Sequence, residues 1–292
     1  MFKKKQIKQA PAGQWREAWE RLRRNKVSMA ALVFLTVIIL LAVFADLVVD
    51  YETVITINPN ERMLGPSAQH WFGTDHMGRD LFGRVIHGAR YSLVFGVACT
   101  ALSLFGGCVL GASAAYFGGK VDMWICRVVD ALMCIPYMLL ALSLVAAMGS
   151  GFKSMTIAIV VASVPSFTRM IRSVVLTVVR QDYIEAARSC GAKDATIIFC
   201  HVLPNAIGPI IVNAMMNVAG LIMSAAGLSF IGMGIQPPDP EWGNMLSEAT
   251  SWMRQSPHMI IFPGLAIVLT ALCFNLLGDG LTEALDPRQS ES

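Results

Sequence analysis

Apolar residues run along this chain in six long blocks separated by polar stretches. At about 20 apolar residues per membrane crossing, the blocks predict six transmembrane helices. The first is Ser28 to Val49, with Asp46 near its end as its only charge, and the second, Tyr91 to Phe117, has none. The third, Met123 to Met148, carries Arg127 and Asp130 near its start. The fourth, Met155 to Val174, carries Arg169 and Arg172 near its end. The fifth, Ala206 to Ile235, is long and rich in glycine, so it is expected to tilt, break or extend beyond the lipid. The sixth is Met259 to Leu277. The pattern is that of an all-α, polytopic membrane protein.

Orientation follows from lysine and arginine near the span ends. Nine precede the first span: Lys3, Lys4, Lys5, Lys8, Arg16, Arg21, Arg23, Arg24 and Lys26. They place the N-terminus in the cytoplasm, and six spans return the C-terminus there. The loop between spans four and five, with Arg180, Arg188 and Lys193, then also lies inside, and the loop carrying Arg254 lies outside. Arg62, Arg79, Arg84 and Arg90 in the first external loop run against this contrast. The expected division is a basic segment at 1–27, a first span and external loop at 28–90, a five-helix core at 91–280 and a cytoplasmic tail at 281–292. Within the core, residues 181–205 form a cytoplasmic loop.

Composition agrees. The 292 residues are 55% hydrophobic and only 15% charged, whereas a soluble domain carries about 25% charged residues. The first apolar run begins after the basic segment and lacks a small-residue cleavage pattern, so a retained helix is expected rather than a leader. Seven cysteines fall in apolar spans or in the 181–205 loop, so no disulfide framework is implied. Gly107 and Gly111, and Gly220 and Gly227, would let helices approach closely, within the chain or across a subunit seam. No internal repeat is visible.

The polar loop Gln181 to Asn205 reads QDYIEAARSCGAKDATIIFCHVLPN. Asp182 is placed to cap a helix from Tyr183 to Cys190, and Gly191 to end it in a left-handed turn. A second short helix is expected from Asp194 to about His201, with Pro204 at the entry to the next span. Such a helix–turn–helix offers a partner three things: close approach at Ala186 and Ala187, oriented charge at Glu185 and Arg188, and an apolar anchor at Ile197, Ile198 and Phe199. The bland alternative is a solvated connector.

This segment resembles the EAA signature of the membrane subunits of bacterial ABC importers: Glu-Ala-Ala, three residues, Gly, nine residues, then a hydrophobic residue, any residue and Leu-Pro. Glu185, Ala186, Ala187, Gly191, Leu203 and Pro204 stand at that spacing, with His201 in place of the usual isoleucine. The resemblance extends along the chain. HWFGTDHMGRDLFGRVIHGARYSL (His70 to Leu93), AAYFGG (Ala114 to Gly119), GLSFIGMGIQPPDPEWGNML (Gly227 to Leu246), FPGLAI (Phe262 to Ile267) and FNLLGDGLTEALDPR (Phe274 to Arg288) look like blocks of the C-type dipeptide, oligopeptide and nickel permeases. Gly83 stands where serine is common. The resemblance implies a type I importer permease fold and half of a translocation pathway. Glu185, Ala186, Ala187, Arg188, Gly191, Leu203 and Pro204 would couple it to the ATPases. Implied partners are a second homologous permease, two ATP-binding cassette subunits holding ATP and Mg, an extracytoplasmic solute-binding protein and a short-peptide cargo. The chain itself would bind no cofactor. Nickel or glutathione is the alternative cargo.

Other residues invite roles. Leu81, Phe82, Val85 and Ile86 oppose Asp80, Arg84 and His87 between Asp80 and Tyr91, which predicts an interfacial helix. It would be either a structural elbow or a rim that seats the binding protein. Pro237 to Gly243 is a rigid turn. His70, His76, His87, His201 and His258 match no local ligand spacing, so no metal site is expected. Arg127 and Asp130, one turn apart, are placed to pair. Asn213 and Asn217 share one helical face and could line a pathway or bond a neighbouring helix. Met216 and Met223 are flexible enough to line a pathway but suit packing equally. No GxxxxGK[ST] phosphate loop occurs, so the chain is not expected to hydrolyse ATP. A secondary transporter would be expected to show buried charge along the spans or repeat symmetry, and neither is legible.

Overall fold

The computed structural model describes residues 11–285. Lys3, Lys4, Lys5 and Lys8 of the basic cluster, and residues 286–292 of the tail, lie outside that range. The described residues are helical apart from connections, with one isolated bridge, Thr74 to Asp80. In order the helices are α1 (Pro11–Arg24), α2 (Lys26–Val43), α3 (Ala45–Val48), α4 (Tyr51–Ile55), α5 (Leu81–Phe117), α6 (Gly119–Met133), α7 (Tyr137–Met148), α8 (Phe152–Val179), α9 (Asp182–Ser189), α10 (Asp194–Thr196), α11 (Leu203–Phe230), α12 (Trp242–Ala249) and α13 (His258–Leu285). Single-turn 3-10 segments stand at Pro59–Glu61 and Thr250–Trp252.

Among the described residues five helices are long and apolar enough to cross a membrane: α2, α5, α8, α11 with the segment before it, and α13. The third expected span, Met123 to Met148, is broken into α6 and α7, which meet at 84°. Pro136 accounts for the break. It has no N–H to bond back into α6, and it holds an extended backbone (φ −54°, ψ 130°) at the head of α7. The apolar run continues through Ile135 and Tyr137, so hydropathy gives no sign of it.

The surface helix expected before Tyr91 and the span expected after it form one continuous helix, α5, of 37 residues from Leu81. At 1.5 Å per residue it is about 55 Å long, well beyond the ~30 Å hydrocarbon core. Asp80 caps it, its Oδ2 accepting the Gly83 N–H at 2.8 Å. Arg84 and His87, expected on the watery side, are buried.

α5 packs along α8 through its glycines. A Cβ at Gly107 would lie 2.6 Å from Phe167 Cβ, and one at Gly111 would lie 2.6 Å from the Thr168 carbonyl oxygen. This pair is therefore an intramolecular contact. Gly220 faces open space. α6 crosses α8 through two ion pairs. Arg172 forks onto Asp122 with both bonds at 2.6 Å, and Arg169 reaches Asp130 at 2.5 Å. Asp130 thus pairs across helices rather than with Arg127 on its own helix. α13 runs past the expected end at Leu277, and Glu283 accepts the Asn25 side-chain amide at 3.1 Å.

Candidate functional site

The connection between α8 and α11 carries most of the residues singled out above. α9 starts after Gln181, which makes no side-chain capping bond, and Asp182 is the first helical residue rather than the cap. Its carboxylate, with Glu185, still sits in the first turn, where the helix dipole favours negative charge. Ile184 is the buried foot of α9, 1% exposed, and joins a core with Tyr116, Phe167, Ile171, Val175, Ile197 and Val202. This seating leaves Glu185, Ala186 and Arg188 exposed and Ala187 half-buried. Desolvation pushes the Tyr183 hydroxyl above its ordinary value.

Gly191 sits at φ +79°. The Cys190 N–H bonds the Ala186 carbonyl at 3.0 Å and the Ala192 N–H bonds the Ala187 carbonyl at 3.2 Å, closing the end of α9. A Cβ at Gly191 would meet nothing within 4 Å, so the backbone conformation alone calls for glycine. The expected second short helix is not separate. α10 passes through one wide turn, Ile197–Val202, directly into α11, so this arm of the loop is rigidly continuous with a span. Leu203 is half-buried and Pro204 exposed at that junction. Of the expected apolar anchor, Ile197 is buried, Ile198 half-buried, and Phe199 stands 69% exposed.

Sequence reasoning missed the contact that binds the loop to the bundle. The Tyr116 hydroxyl donates to Asp194 Oδ1 at 2.6 Å, and the Arg188 guanidinium lies 5.4 Å above the Tyr116 ring centre. Arg188 is therefore engaged within the chain, whereas Glu185 has no ion pair among the described residues. The partners are 78 residues apart, and only the AAYFGG block marked Tyr116 at all.

At the opposite end of α5, the loop before it is organised by the GTDxxGRD stretch. Gly73 and Gly78 both have φ +81°. Asp75 Oδ1 accepts the N–H groups of Met77 (2.8 Å) and Arg79 (3.0 Å). Thr74 bonds the Glu61 carbonyl through its hydroxyl. Arg79 reaches Asp75 at 2.6 Å and Glu248 at 3.1 Å. Arg84 reaches Glu248 at 3.3 Å and the Pro238 carbonyl at 3.2 Å. The expected turn at Pro237 to Gly243 proves to lead into α12. Glu241 caps α12 through the N–H groups of Gly243 and Asn244, each at 2.9 Å. Burial pushes its carboxyl upward, and those two bonds oppose the shift. Trp242 donates its indole N–H to the Val85 carbonyl at 2.9 Å, fastening α12 to α5.

The histidines serve this architecture. His70 Nδ1 lies 2.9 Å from Asp80, His87 Nε2 lies 2.8 Å from the Val49 carbonyl, and His258 Nε2 lies 3.1 Å from that of Thr74. Among the described residues no group of three or more potential ligands converges on a metal position.

On α11, the side-chain amides of Asn213 and Asn217 donate to the Pro209 and Asn213 carbonyls at 2.8 and 2.7 Å. Both bonds stay within their own helix. Met223 is open at 58% exposed. Met216 is 39% exposed and packs in part on Gly278 of α13, where a Cβ would lie 2.6 Å from Met216 Cγ.

The fold defines a class. The chain resembles two structures titled as inward-facing conformations of a methionine ABC transporter. One match has a TM-score of 0.55 at 19% identity over 70% of this chain and 98% of that one. The other has a TM-score of 0.54 at 20% identity over 70% and 96%. The shared fold is that of an ABC importer permease. Within that class, the chain belongs to the family described as binding-protein-dependent transport system inner membrane component, which matches residues 107–291. The N-terminal transmembrane domain of oligopeptide transport permease C matches residues 13–66. Curated relatives include a dipeptide transport system permease protein of Alkalihalophilus pseudofirmus, 43% identical over 94% of this chain and 90% of that protein. A glutathione transport system permease protein of Escherichia coli O157:H7 is 45% identical over 94% and 90%. The chain is thus a multi-pass inner-membrane permease of the ABC importer family, which works with ATPase and binding-protein partners.

Proposed function

We propose that this chain forms half of the translocation pathway of an importer for short peptides and takes its drive from ATPase subunits through α9. The observation that carries this reading is the loop geometry. α9 is seated by Ile184, shows Glu185 and Ala186 outward and reverses at Gly191 into α10, which continues without a break into α11. A partner gripping α9 therefore has a stiff lever into the membrane. In this reading both termini and the α9 loop are cytoplasmic, and α12 and the loop before α5 are external. A second permease chain supplies the other half of the pathway. Two cassette subunits bind ATP and Mg, and a solute-binding protein delivers cargo to the outer face.

The exposed side of α11, with Asn213, Met216, Asn217 and Met223, forms this chain's wall of the pathway. The asparagine amides are turned onto their own helix, leaving side-chain carbonyl oxygens free to accept from a cargo, and no charge lies on that stripe. Such a wall suits peptide N–H groups and discriminates little among side chains. Dipeptides and glutathione, itself a peptide derivative, both fit it, in line with the names of the two curated relatives. A bare nickel ion would find no histidine or carboxylate there.

The test is uptake in a strain lacking this chain, supplied with labelled dialanine, a labelled pentapeptide, labelled glutathione and radioactive nickel. Loss of peptide or glutathione uptake, restored by the gene, supports the reading. Loss of nickel uptake alone overturns it.

A further inference from the structure

A lever must be fastened at its fulcrum, and α9 on its own is not. It joins α8 through Arg180 and Gln181 and joins α10 through the turn at Gly191. Ile184 seats it by apolar contact, which resists separation but not rocking. A pull on α9 would be absorbed as rotation at the Gly191 turn unless both arms of the turn were held to the bundle.

One side chain meets both arms. Tyr116, in the last turn of α5 and 7% exposed, bonds Asp194 after the turn at 2.6 Å and lies under Arg188 before it at 5.4 Å. The first contact is a hydrogen bond to a carboxylate, the shorter and stronger kind. The second is a cation over an aromatic face. The ring cannot easily swing away, because Phe117 packs edge-on against it at 5.2 Å and Ala112 and Ala115 share its core. α5 then runs unbroken to the other end of the bundle, where Arg84 and the Val85 carbonyl hold α12 through Glu248 and Trp242.

Resting on the reading of α9 as the coupling element, we propose that Tyr116 is a positioning residue for energy coupling. It pins the two arms of the loop together onto α5, so that displacement of α9 moves α5 and the α12 end as one body rather than flexing the Gly191 turn. Tyr116 touches neither nucleotide nor cargo. Its action is mechanical, and Asp194 and Arg188 are its two points of purchase.

The experiment uses the whole importer in proteoliposomes, with labelled dialanine and labelled glutathione as probes. Tyr116→Phe removes the bond to Asp194 and keeps the ring, Asp194→Asn weakens the same bond from its other side, and Tyr116→Leu removes both contacts. Two quantities are read: uptake per ATP hydrolysed, and the mobility of a nitroxide on the exposed Cys190, with Cys134 and Cys200 changed to serine. A hydrogen bond to a charged group supports a loss of about ten-fold in uptake per ATP for Tyr116→Phe. Asp194→Asn should show a loss in the same direction and Tyr116→Leu a larger one, with a more mobile label in all three assembled complexes. Unchanged coupling and unchanged label motion in Tyr116→Phe and Tyr116→Leu would overturn the proposal. A loss confined to Tyr116→Leu would show one arm held rather than two and would equally contradict it. Failure of all three variants to assemble would make the contact purely structural, again against it. Glu185→Lys separates the two levels. If it uncouples while the Tyr116 variants do not, the clamp is wrong and the α9 reading stands. If it too transports normally, the α9 reading fails as well.

Discussion

Arg84 and Glu248, 164 residues apart in the chain, meet at 3.3 Å between Nη2 and Oε2. Arg79 and Asp75 complete the cluster, and both arginines are buried to 1% or less exposed. Two guanidinium groups face two carboxylates, so the buried charge balances. The arrangement joins the loop before α5, the head of α5 and α12 into one body, because opening any one of them would strand a charge.

Glu248→Ala should therefore leave both arginines with Asp75 as the cluster's one carboxylate and cost about 3–5 kcal/mol, the usual range for breaking a buried pair. Glu248→Gln keeps an acceptor and should cost less. Thermal unfolding of the purified, detergent-solubilised protein is the measurement. An unchanged midpoint in Glu248→Ala would show that the cluster does not hold this end together.

Gly107 and Gly220 should respond oppositely to a side chain. Gly107→Val drives a Cβ against Phe167 and should destabilise by about 1–3 kcal/mol. Gly220→Ala enters open space, and removing a mid-helix glycine should stabilise the monomer by about 0.5–1 kcal/mol. Size-exclusion profiles after graded heating would distinguish them, and equal loss in both would place Gly220 in a packed contact.

For the membrane sidedness, single cysteines at the exposed positions Ser67 and Ser251 should react with an impermeant thiol reagent in intact cells, and one at Lys193 should not. All three sites are exposed on the folded chain, so access depends on the membrane alone. Labelling at Lys193 from outside would reverse the orientation.

Purified alone, the chain should hydrolyse no ATP, and hydrolysis should appear when the cassette subunits are added. Turnover that persists in the isolated chain after contaminating ATPases are removed would contradict the expectation that this subunit is non-catalytic.

The long spans were legible because twenty-residue apolar runs have few other uses, and the Gly191 turn because a glycine closing a short helix has a local cause. What escaped was set by distant partners. Arg84 and His87 read as a polar face, since nothing near them in sequence reveals Pro238, Glu248 or Val49. Asp130 had a plausible partner one turn away in Arg127, yet Arg169 on the crossing helix took it. The break at Pro136 lay hidden inside continuous apolarity. The loop's second arm looked like a separate helix because Pro204 suggested a boundary, but α10 passes through the wide turn Ile197–Val202, just ahead of that proline, and runs on into α11.

If the α9 loop carries the drive from the ATPases, Gly191→Val should uncouple the importer. Valine at φ +79° opposes the left-handed backbone at a cost on the order of 1–2 kcal/mol. No Cβ clash accompanies it, and the spans keep their own hydrogen bonds. Uptake of labelled peptide per ATP hydrolysed, measured on the assembled importer in proteoliposomes, should fall about ten-fold or more if the turn's misalignment is paid in coupling. An assembled Gly191→Val importer that moves peptide at the wild-type rate and stoichiometry would contradict the claim.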